Sequence, residues 1–161
     1  MSDPAYLDYL DGDALTAAGL PGWPFGYRDR VRFHELDALN HVNNVIFLRW
    51  FETIRVAYVK AYGLTDYSHT DSDPQLVVRH VSADYLSPMY QDENYLLTAR
   101  TTLIKPSSFV MAYAVHVDGA LRATGTAVVV SLEQDGRTRR PHRQDAIDRM
   151  VAMDSAEKAG F

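Results

Sequence analysis

The sequence predicts an α+β fold in which one antiparallel β-sheet wraps around one long central α-helix. Three observations lead to this prediction: a strand pattern near residue 30, one long apolar helix after it, and four further strands joined by short connections. A chain of 161 residues, 47% of them hydrophobic, is long enough to bury one core. We therefore predict an extension at 1–26, a domain at 27–143 and a C-terminal tail with helical character at 144–161.

The first strand is predicted from an alternating pattern. Tyr27, Val31 and Phe33 alternate with polar and charged residues, which is typical of a strand with one buried face. The pattern places the end of this strand at residues 36–37. Residues 1–26 end in GLPGWPFG and are interpreted either as an extension with one short helix, packed through its aromatic residues, or as a loose tail.

The central helix is predicted at residues 45–62, VIFLRWFETIRVAYVKAY. Its apolar side chains repeat at spacings of four and three residues, and others widen the apolar surface beyond one stripe, which indicates a largely enclosed helix. Gly63 follows, where a C-terminal cap in the left-handed region is expected. The next residues, LTDYSHTDSDP, read as a polar loop.

Four strands are predicted after that loop, at 75–86, 95–104, 109–117 and 121–132. Alternation in the first of them predicts a face formed by Val77, Val81, Ala83 and Tyr85. Asp118-Gly119 is the two-residue signal of a β-hairpin between the last two strands. Residues 144–158 have weak helical character.

Composition excludes several classes of protein. The chain contains no Cys, which rules out disulfides, zinc–thiolate sites and cysteine nucleophiles. The first residues lack the features of a signal peptide, and no apolar run approaches the roughly 20 residues that cross a bilayer. We expect a cytoplasmic protein that inserts in no membrane. A net charge of −5 argues against nucleic acid as a partner.

The stretch HELDALNHVNN gathers polar side chains immediately before the central helix. The amide groups of a helix start favour a developing oxyanion, and a carboxylate such as Asp37 can act there as a nucleophile or as a base for water. His41, together with Asn40 or Asn44, can orient the water or the carbonyl, and Asn43 or Asn44 is a good N-cap. The two His are too far apart for a helical zinc motif, so we predict no metal.

The run RVRFHELDALNHVNNVIFLRWFETIR resembles the signature of the 4-hydroxybenzoyl-CoA thioesterase family, whose members are hotdog-fold acyl-CoA thioesterases. The similarity extends over about residues 27–133. It implies a hotdog fold and thioester hydrolysis without a cofactor beyond the coenzyme A of the substrate. The family's catalytic carboxylate corresponds to Asp37, and His41 and the two Asn match the segment that lines the scissile carbonyl. Some members use a helix Glu, for which Glu52 is the candidate.

One departure limits the inference about substrate. Plant acyl-carrier-protein thioesterases carry Asp-x-Asn-x-His, whereas this chain has Leu39 in place of that Asn and Asn40 one position later. An acyl-CoA is therefore the expected substrate, with its acyl group left open.

Further residues are candidates for substrate binding. The amide of Val45 and the side chain of Asn43 are expected near the carbonyl. The segment GRTRRPHR includes Arg139 and Arg140, which suit the phosphates of coenzyme A, although a solvated basic tail is the alternative. Glu52 lies between two Arg and has an ion pair as its alternative role. Glu35 is expected to face solvent.

Two other functions fit the same sequence: an enoyl-CoA hydratase or dehydratase of the same fold, and a non-catalytic acyl-CoA binding module. A sheet curled around one helix leaves edges that a second subunit commonly covers. We therefore expect a homodimer or homotetramer with active sites at subunit interfaces.

Overall fold

The computed structural model describes residues 7–161. Its helices are α1 (Gly12–Ala17), α2 (Asn44–Ala61) and α3 (Gln144–Asp154), with a 3₁₀ turn at Phe33–Glu35. Its strands are β1 (Asp8–Asp11), β2 (Phe25–Arg30), β3 (Gln75–Tyr85), β4 (Asn94–Lys105), β5 (Ser108–Val117), β6 (Ala120–Leu132) and β7 (Glu157–Lys158). Within the described residues, no helix combines the length and apolarity needed to cross a membrane.

The strands form one sheet in the order β1-β2-β4-β5-β6-β3, and β7 adds to β4 in parallel. The predicted long helix and the four strands after it are confirmed to within a few residues. Asp118 and Gly119 both have positive φ, as the predicted two-residue hairpin between β5 and β6 requires. Buried side chains recur along α2, as its periodicity predicts: Phe47, Trp50, Phe51, Ile54, Tyr58 and Val59.

The chain divides into two compact units, and the described part of the first covers residues 7–54, 83–99 and 113–125. Here the N-terminal extension adds β1 to the edge of β2, with Tyr9 opposite Tyr27. Leu10, Leu15 and Leu20 form a buried cluster against which Trp23 packs. The loose-tail alternative is therefore wrong for residues 8–26, while residues 1–6 of the predicted extension lie outside the described residues.

The second unit comprises residues 55–82, 100–112 and 126–161. At the end of α3, the buried carboxylate of Asp154 accepts hydrogen bonds from the hydroxyls of Tyr58 and Tyr62. The amide of Thr101 donates to the same carboxylate over 2.6 Å. Burial raises the pKa of Asp154, although these hydrogen bonds act in the opposite direction. The predicted helical tail is thus a helix tied to α2 and β4 through buried polar contacts.

The first predicted strand ends earlier than its alternation indicates. β2 stops at Arg30, and the chain turns at Phe33–Glu35 instead of continuing to residues 36–37. The turn forms because the carboxylate of Glu35 accepts the amide of Arg32 over 2.9 Å. Phe33 is consequently 76% exposed and does not contribute to the core.

β3 is the second strand that differs from prediction. Val77, Val81 and Tyr85 were expected on a buried face, yet each is exposed, by 38%, 39% and 48%. β3 is the last strand in the sheet order, so it has one neighbouring strand among the residues that the structure describes. The alternation marks a strand correctly but does not distinguish an edge strand from a central one.

Candidate active site

The stretch between β2 and α2 folds back on itself as a short hairpin-like loop. At its base, the carbonyl of Glu35 accepts the amide of Asn43 over 2.9 Å. Nearer the tip, the amide of Asp37 donates to the carbonyl of His41 over 2.8 Å, and Asn40 adopts a left-handed φ of 59°. Asn is one of the residues that tolerate this conformation. The loop therefore holds Asp37 and His41 side by side at its tip.

The two carboxylate oxygens of Asp37 have different surroundings. Oδ1 accepts the amide of Leu39 at 2.8 Å and that of His41 at 3.4 Å. Oδ2 accepts no hydrogen bond from any residue between 7 and 161. One oxygen thus fixes the side chain to its own loop, and the other is available to react with a ligand.

The start of α2 lies directly after this loop. Asn43 is the N-cap, as predicted, because its Oδ1 accepts the amide of Val45 over 3.0 Å and its carbonyl accepts the amide of Ile46 over 2.9 Å. The amide of Asn44 has no acceptor among the described residues. A ligand oxygen arriving at the helix start therefore meets the Asn44 amide, while the Val45 amide is already bound.

A cavity of about 340 Å³ opens at this position. It brings together three residues predicted to act in catalysis, Asp37, His41 and Asn44. Apolar and small side chains complete the lining: Val42, Phe47, Tyr85, Leu86, Ser87, Pro88 and Met89. A carboxylate, an imidazole and a helix N-terminus thus share one cavity with an apolar wall, which is an arrangement suited to acyl transfer.

Tyr85 connects the end of β3 to the helix start. Its hydroxyl donates to the carbonyl of Asn44 over 2.9 Å, and its ring centroid lies 5.2 Å from that of Phe47. A second aromatic residue, Tyr90, packs edge-to-face on the His41 ring with 5.3 Å between centroids. The sequence identifies Tyr85 only as a strand residue, because nothing local to it indicates a partner 41 positions earlier.

The predicted substrate-binding residues of α2 lie outside the cavity lining. Val45 is 54% exposed, and its side chain is not part of the wall. Glu52 is exposed on α2 and forms no ion pair within residues 7–161, so the predicted pairing with the flanking Arg is wrong. A role of Glu52 in substrate binding stays a prediction.

The two Arg predicted to bind coenzyme A have different surroundings. The Arg140 guanidinium donates to the carbonyls of Asp71 and Ser72, both over 2.8 Å, and pairs with Glu133 at 3.1 Å. These bonds hold the loop before β3. Arg139 is exposed and reaches only the Ser107 hydroxyl, at 3.4 Å. Neither lines the cavity around Asp37.

Glu35 does not face solvent, contrary to prediction. It is 5% exposed, and its Oε1 accepts the indole N–H of Trp50 over 3.0 Å. Residue type and alternation do not reveal this, because the partner lies in α2. Across residues 7–161, no group of three or more His, Asp or Glu side chains is arranged to hold a metal ion.

Known proteins share this architecture. The family model described as "Thioesterase-like superfamily" matches residues 31–156. A structure of a thioesterase superfamily protein from Jannaschia sp. CCS1 is 38% identical, with a TM-score of 0.91 and coverage of 98% of this chain and 100% of that one. The predicted hotdog fold is confirmed by these similarities.

Two further relatives have more specific descriptions. A thioesterase from Thermus thermophilus, solved with coenzyme A and Zn, is 31% identical with a TM-score of 0.71, covering 83% of this chain and 97% of that one. A 1,4-dihydroxy-2-naphthoyl-CoA hydrolase from Synechococcus sp. CC9605 is 28% identical over 131 residues, 78% of this chain and 87% of the relative.

Proposed function

Because this chain belongs to the thioesterase-like superfamily, we propose that it is an acyl-CoA thioesterase whose reaction takes place in the cavity around Asp37. One observation carries the proposal: a carboxylate oxygen and a helix-start amide, neither of which has a hydrogen-bond partner within residues 7–161, belong to residues that line one cavity. The coenzyme A bound to the Thermus thermophilus relative supports a CoA thioester as the ligand class.

In this proposal the thioester carbonyl points its oxygen at the Asn44 amide. The partial positive charge of the helix start stabilises the negative charge that develops on this oxygen. Oδ2 of Asp37 then either attacks the carbonyl carbon or removes a proton from a water molecule that attacks it. On either route the C–S bond breaks, and the CoA thiolate leaves and takes up a proton. On the activated-water route water supplies the new oxygen of the acid, whereas on the covalent route water cleaves the acyl–aspartyl anhydride at either of its two carbonyl carbons.

His41 and Asn43 assist without changing covalently. His41 lines the cavity beside Asp37 and orients the carbonyl or the attacking water. Asn43 keeps the helix start in place through its hydrogen bond to the Val45 amide. Coenzyme A binding by Arg139 or Arg140 stays a prediction: the Arg139 side chain is exposed, whereas the Arg140 guanidinium is engaged within the protein.

Substitution of Asp37 tests the proposal directly. In Asp37→Asn the amide oxygen can still accept the Leu39 and His41 amides, so the loop should keep its shape. We expect kcat for thiol release from acyl-CoAs to fall by more than about 10²-fold, since the nucleophile or base is lost. Asp118→Asn makes the same chemical change at an exposed hairpin residue and should leave kcat unchanged.

Full activity of Asp37→Asn toward every acyl-CoA hydrolysed by the wild type would overturn the assignment of Asp37. A single turnover in ¹⁸O-labelled water separates the two routes. Label in the Asp37 side chain, measured by mass spectrometry of the peptide, indicates covalent attack, because hydrolysis of the acyl–aspartyl anhydride can leave solvent oxygen on the enzyme. Activated water places label only in the product acid.

We also propose that the chain works as a homodimer paired through β3. β3 is an 11-residue edge strand, and its exposed side chains include Val77, Val78 and Val81. The unpaired backbone amides and carbonyls of such an edge can form hydrogen bonds with another strand. Pairing with the same edge of a second copy would satisfy these groups on both strands. Tyr85 at the end of β3 lines the cavity, so this pairing would bring the partner close to the site.

A further inference from the structure

We propose that Glu35 is a positioning residue, which fixes the loop carrying Asp37 against the start of α2. This inference rests on the thioesterase function proposed above and adds a residue that does not line the cavity. It starts from the observation that a carboxylate expected in solvent is 5% exposed and fully engaged.

The two carboxylate oxygens of Glu35 hold two different parts of the chain. Oε2 accepts the amide of Arg32 over 2.9 Å, which closes the 3₁₀ turn after β2. Oε1 accepts the indole N–H of Trp50 over 3.0 Å, which ties the turn to α2. The Trp50 ring is itself held by stacking on Tyr95, with 4.3 Å between ring centroids. Glu35 therefore connects the entrance of the loop to a rigid point on the helix.

The backbone of Glu35 holds the exit of the same loop. Its carbonyl accepts the amide of Asn43, the N-cap of α2, over 2.9 Å. Leu36 and Val42 form an antiparallel β-bridge one residue further into the loop. The two ends of the loop are therefore joined by backbone contacts at its base. One residue thus bonds to the turn before the loop, to the helix after it and to the residue that caps the helix.

Glu35 shares the positive charge of Arg32 with a second buried carboxylate, Asp29. Arg32 Nη1 lies 3.5 Å from Oε1 and its Nη2 lies 2.9 Å from the carboxylate of Asp29, which is 3% exposed. A buried carboxylate is stable only when donors and a counter-charge satisfy it. Because these partners have fixed positions, the carboxylate has little freedom, and neither does the loop attached to it.

The consequence concerns the spacing between Asp37 and the Asn44 amide. These groups belong to the loop and to the helix start, and Glu35 contacts both elements. A displacement of about 1 Å between reacting groups can lower a rate by about 10²-fold. Weakening the Glu35 contacts should therefore lower kcat although no group that touches the substrate has changed.

Glu35→Gln tests this inference. A Gln amide has one oxygen, so its NH₂ group must face either the Arg32 amide or the Trp50 indole, both of which are donors. We expect kcat to fall by at least about tenfold, because the loop that carries Asp37 is no longer fixed in position. KM should stay within about threefold, because the residues that line the cavity are unchanged. Trp50→Phe removes the indole donor and should lower kcat to a similar degree.

The double variant Glu35→Gln/Trp50→Phe distinguishes positioning through Trp50 from two independent effects. In this variant the Gln NH₂ group no longer opposes an indole N–H, so kcat should be no lower than in the worse single variant. Multiplying losses would contradict the proposed route through Trp50. Ile54→Val is the matched control, because it weakens the buried face of the same helix without touching the loop and should leave kcat unchanged.

Amide hydrogen exchange gives a readout that does not depend on activity. We expect Glu35→Gln to speed exchange at the amides of His41 and Asn43, whose acceptors are in this loop, and Ile54→Val to leave them unchanged. Wild-type kcat together with wild-type exchange in Glu35→Gln would overturn the inference. If the wild type hydrolyses no acyl-CoA, the proposed function fails, and exchange still decides whether Glu35 holds the loop.

Discussion

The side chains at the site differ in how many of their polar atoms the protein already uses. Asp37 has one carboxylate oxygen bound to its loop and one unbound within the described residues, whereas both oxygens of Glu35 are bound. A group that reacts needs an unoccupied atom, and a group that positions needs bonds on all of its atoms. For this reason we propose that Asp37 takes part in the reaction and that Glu35 is a positioning residue.

Tyr85 is predicted to act through its hydroxyl. Tyr85→Phe keeps the ring on Phe47 and removes the hydrogen bond to the Asn44 carbonyl. We expect kcat to fall by about 3- to 10-fold, the size of one net hydrogen bond, because the helix start becomes less fixed. Tyr9→Phe is the control: Tyr9 is similarly exposed, at 44%, and its hydroxyl makes no hydrogen bond in the described chain. Equal kcat in both variants would contradict this role.

At the scale of elements, α2 is defined by its two caps. Asn43 caps the start, and Gly63 ends the helix with a φ of 74°. The Gly63 amide donates to the carbonyl of Lys60, and the Leu64 amide donates to that of Val59, which is the hydrogen-bond pattern of a Schellman motif. The Asn43 cap fixes where the helix begins, and hence where the Asn44 amide lies, and the Gly63 cap fixes where it ends.

Gly63→Ala should destabilise the protein. A side chain at this left-handed φ costs about 1–2 kcal/mol, and the new Cβ would lie 2.7 Å from Nη1 of Arg149, which donates to the Tyr62 carbonyl. Urea unfolding measures the change. Gly12→Ala is the matched control, since its Cβ would have 3.5 Å to the nearest atom and should leave stability unchanged or raise it by up to about 1 kcal/mol. A Gly63→Ala protein as stable as Gly12→Ala would contradict the cap.

The link between α3 and α2 predicts a pH dependence of stability. Burial raises the pKa of Asp154 above its ordinary value of 3.8, so above that pH the folded protein keeps a proton that the unfolded chain releases. The stability this group contributes is fully present below pH 3.8 and is lost as pH rises through the folded-state pKa.

We therefore expect the free energy of unfolding of Asp154→Asn, relative to wild type, to increase with pH above 3.8 and then level off. Urea titrations over a series of pH values measure this difference. Asp148→Asn removes an exposed carboxylate from the same helix and should show a flat difference. A flat difference for Asp154→Asn as well would show that burial does not raise the pKa of this carboxyl.

At the scale of the whole molecule, the exposed edge strand predicts association. Val78 is 44% exposed on β3, and a Lys there places a charge on the proposed contact between copies. We expect the wild type to have the mass of two chains by light scattering, and Val78→Lys to shift toward one chain with lower activity. Val151→Lys on α3, at a position 37% exposed, is the control and should remain dimeric. A monomeric wild type would contradict pairing through β3.

The parts of this structure that the sequence predicts are those governed by neighbours along the chain. Periodicity locates α2 and the strands β4 to β6, and the spacing of Asp37, His41 and Asn44 places them at one helix start. The bonds of Glu35 and Tyr85 were not predictable, because their partners Trp50 and Asn44 are brought near only by folding. The exposure of β3 was missed because alternation is the same in edge and central strands.

The N-cap at Asn43 affects how many backbone amides the start of α2 can offer to a bound ligand. In the proposed reaction, a planar thioester would meet the Asn44 amide, which has no acceptor within residues 7–161, while the Val45 amide is held by the Asn43 carboxamide. Were that carboxamide to rotate, the Val45 amide would become a second donor for an oxygen on which negative charge develops. An interaction gained only as that charge develops lowers the barrier without strengthening the resting complex.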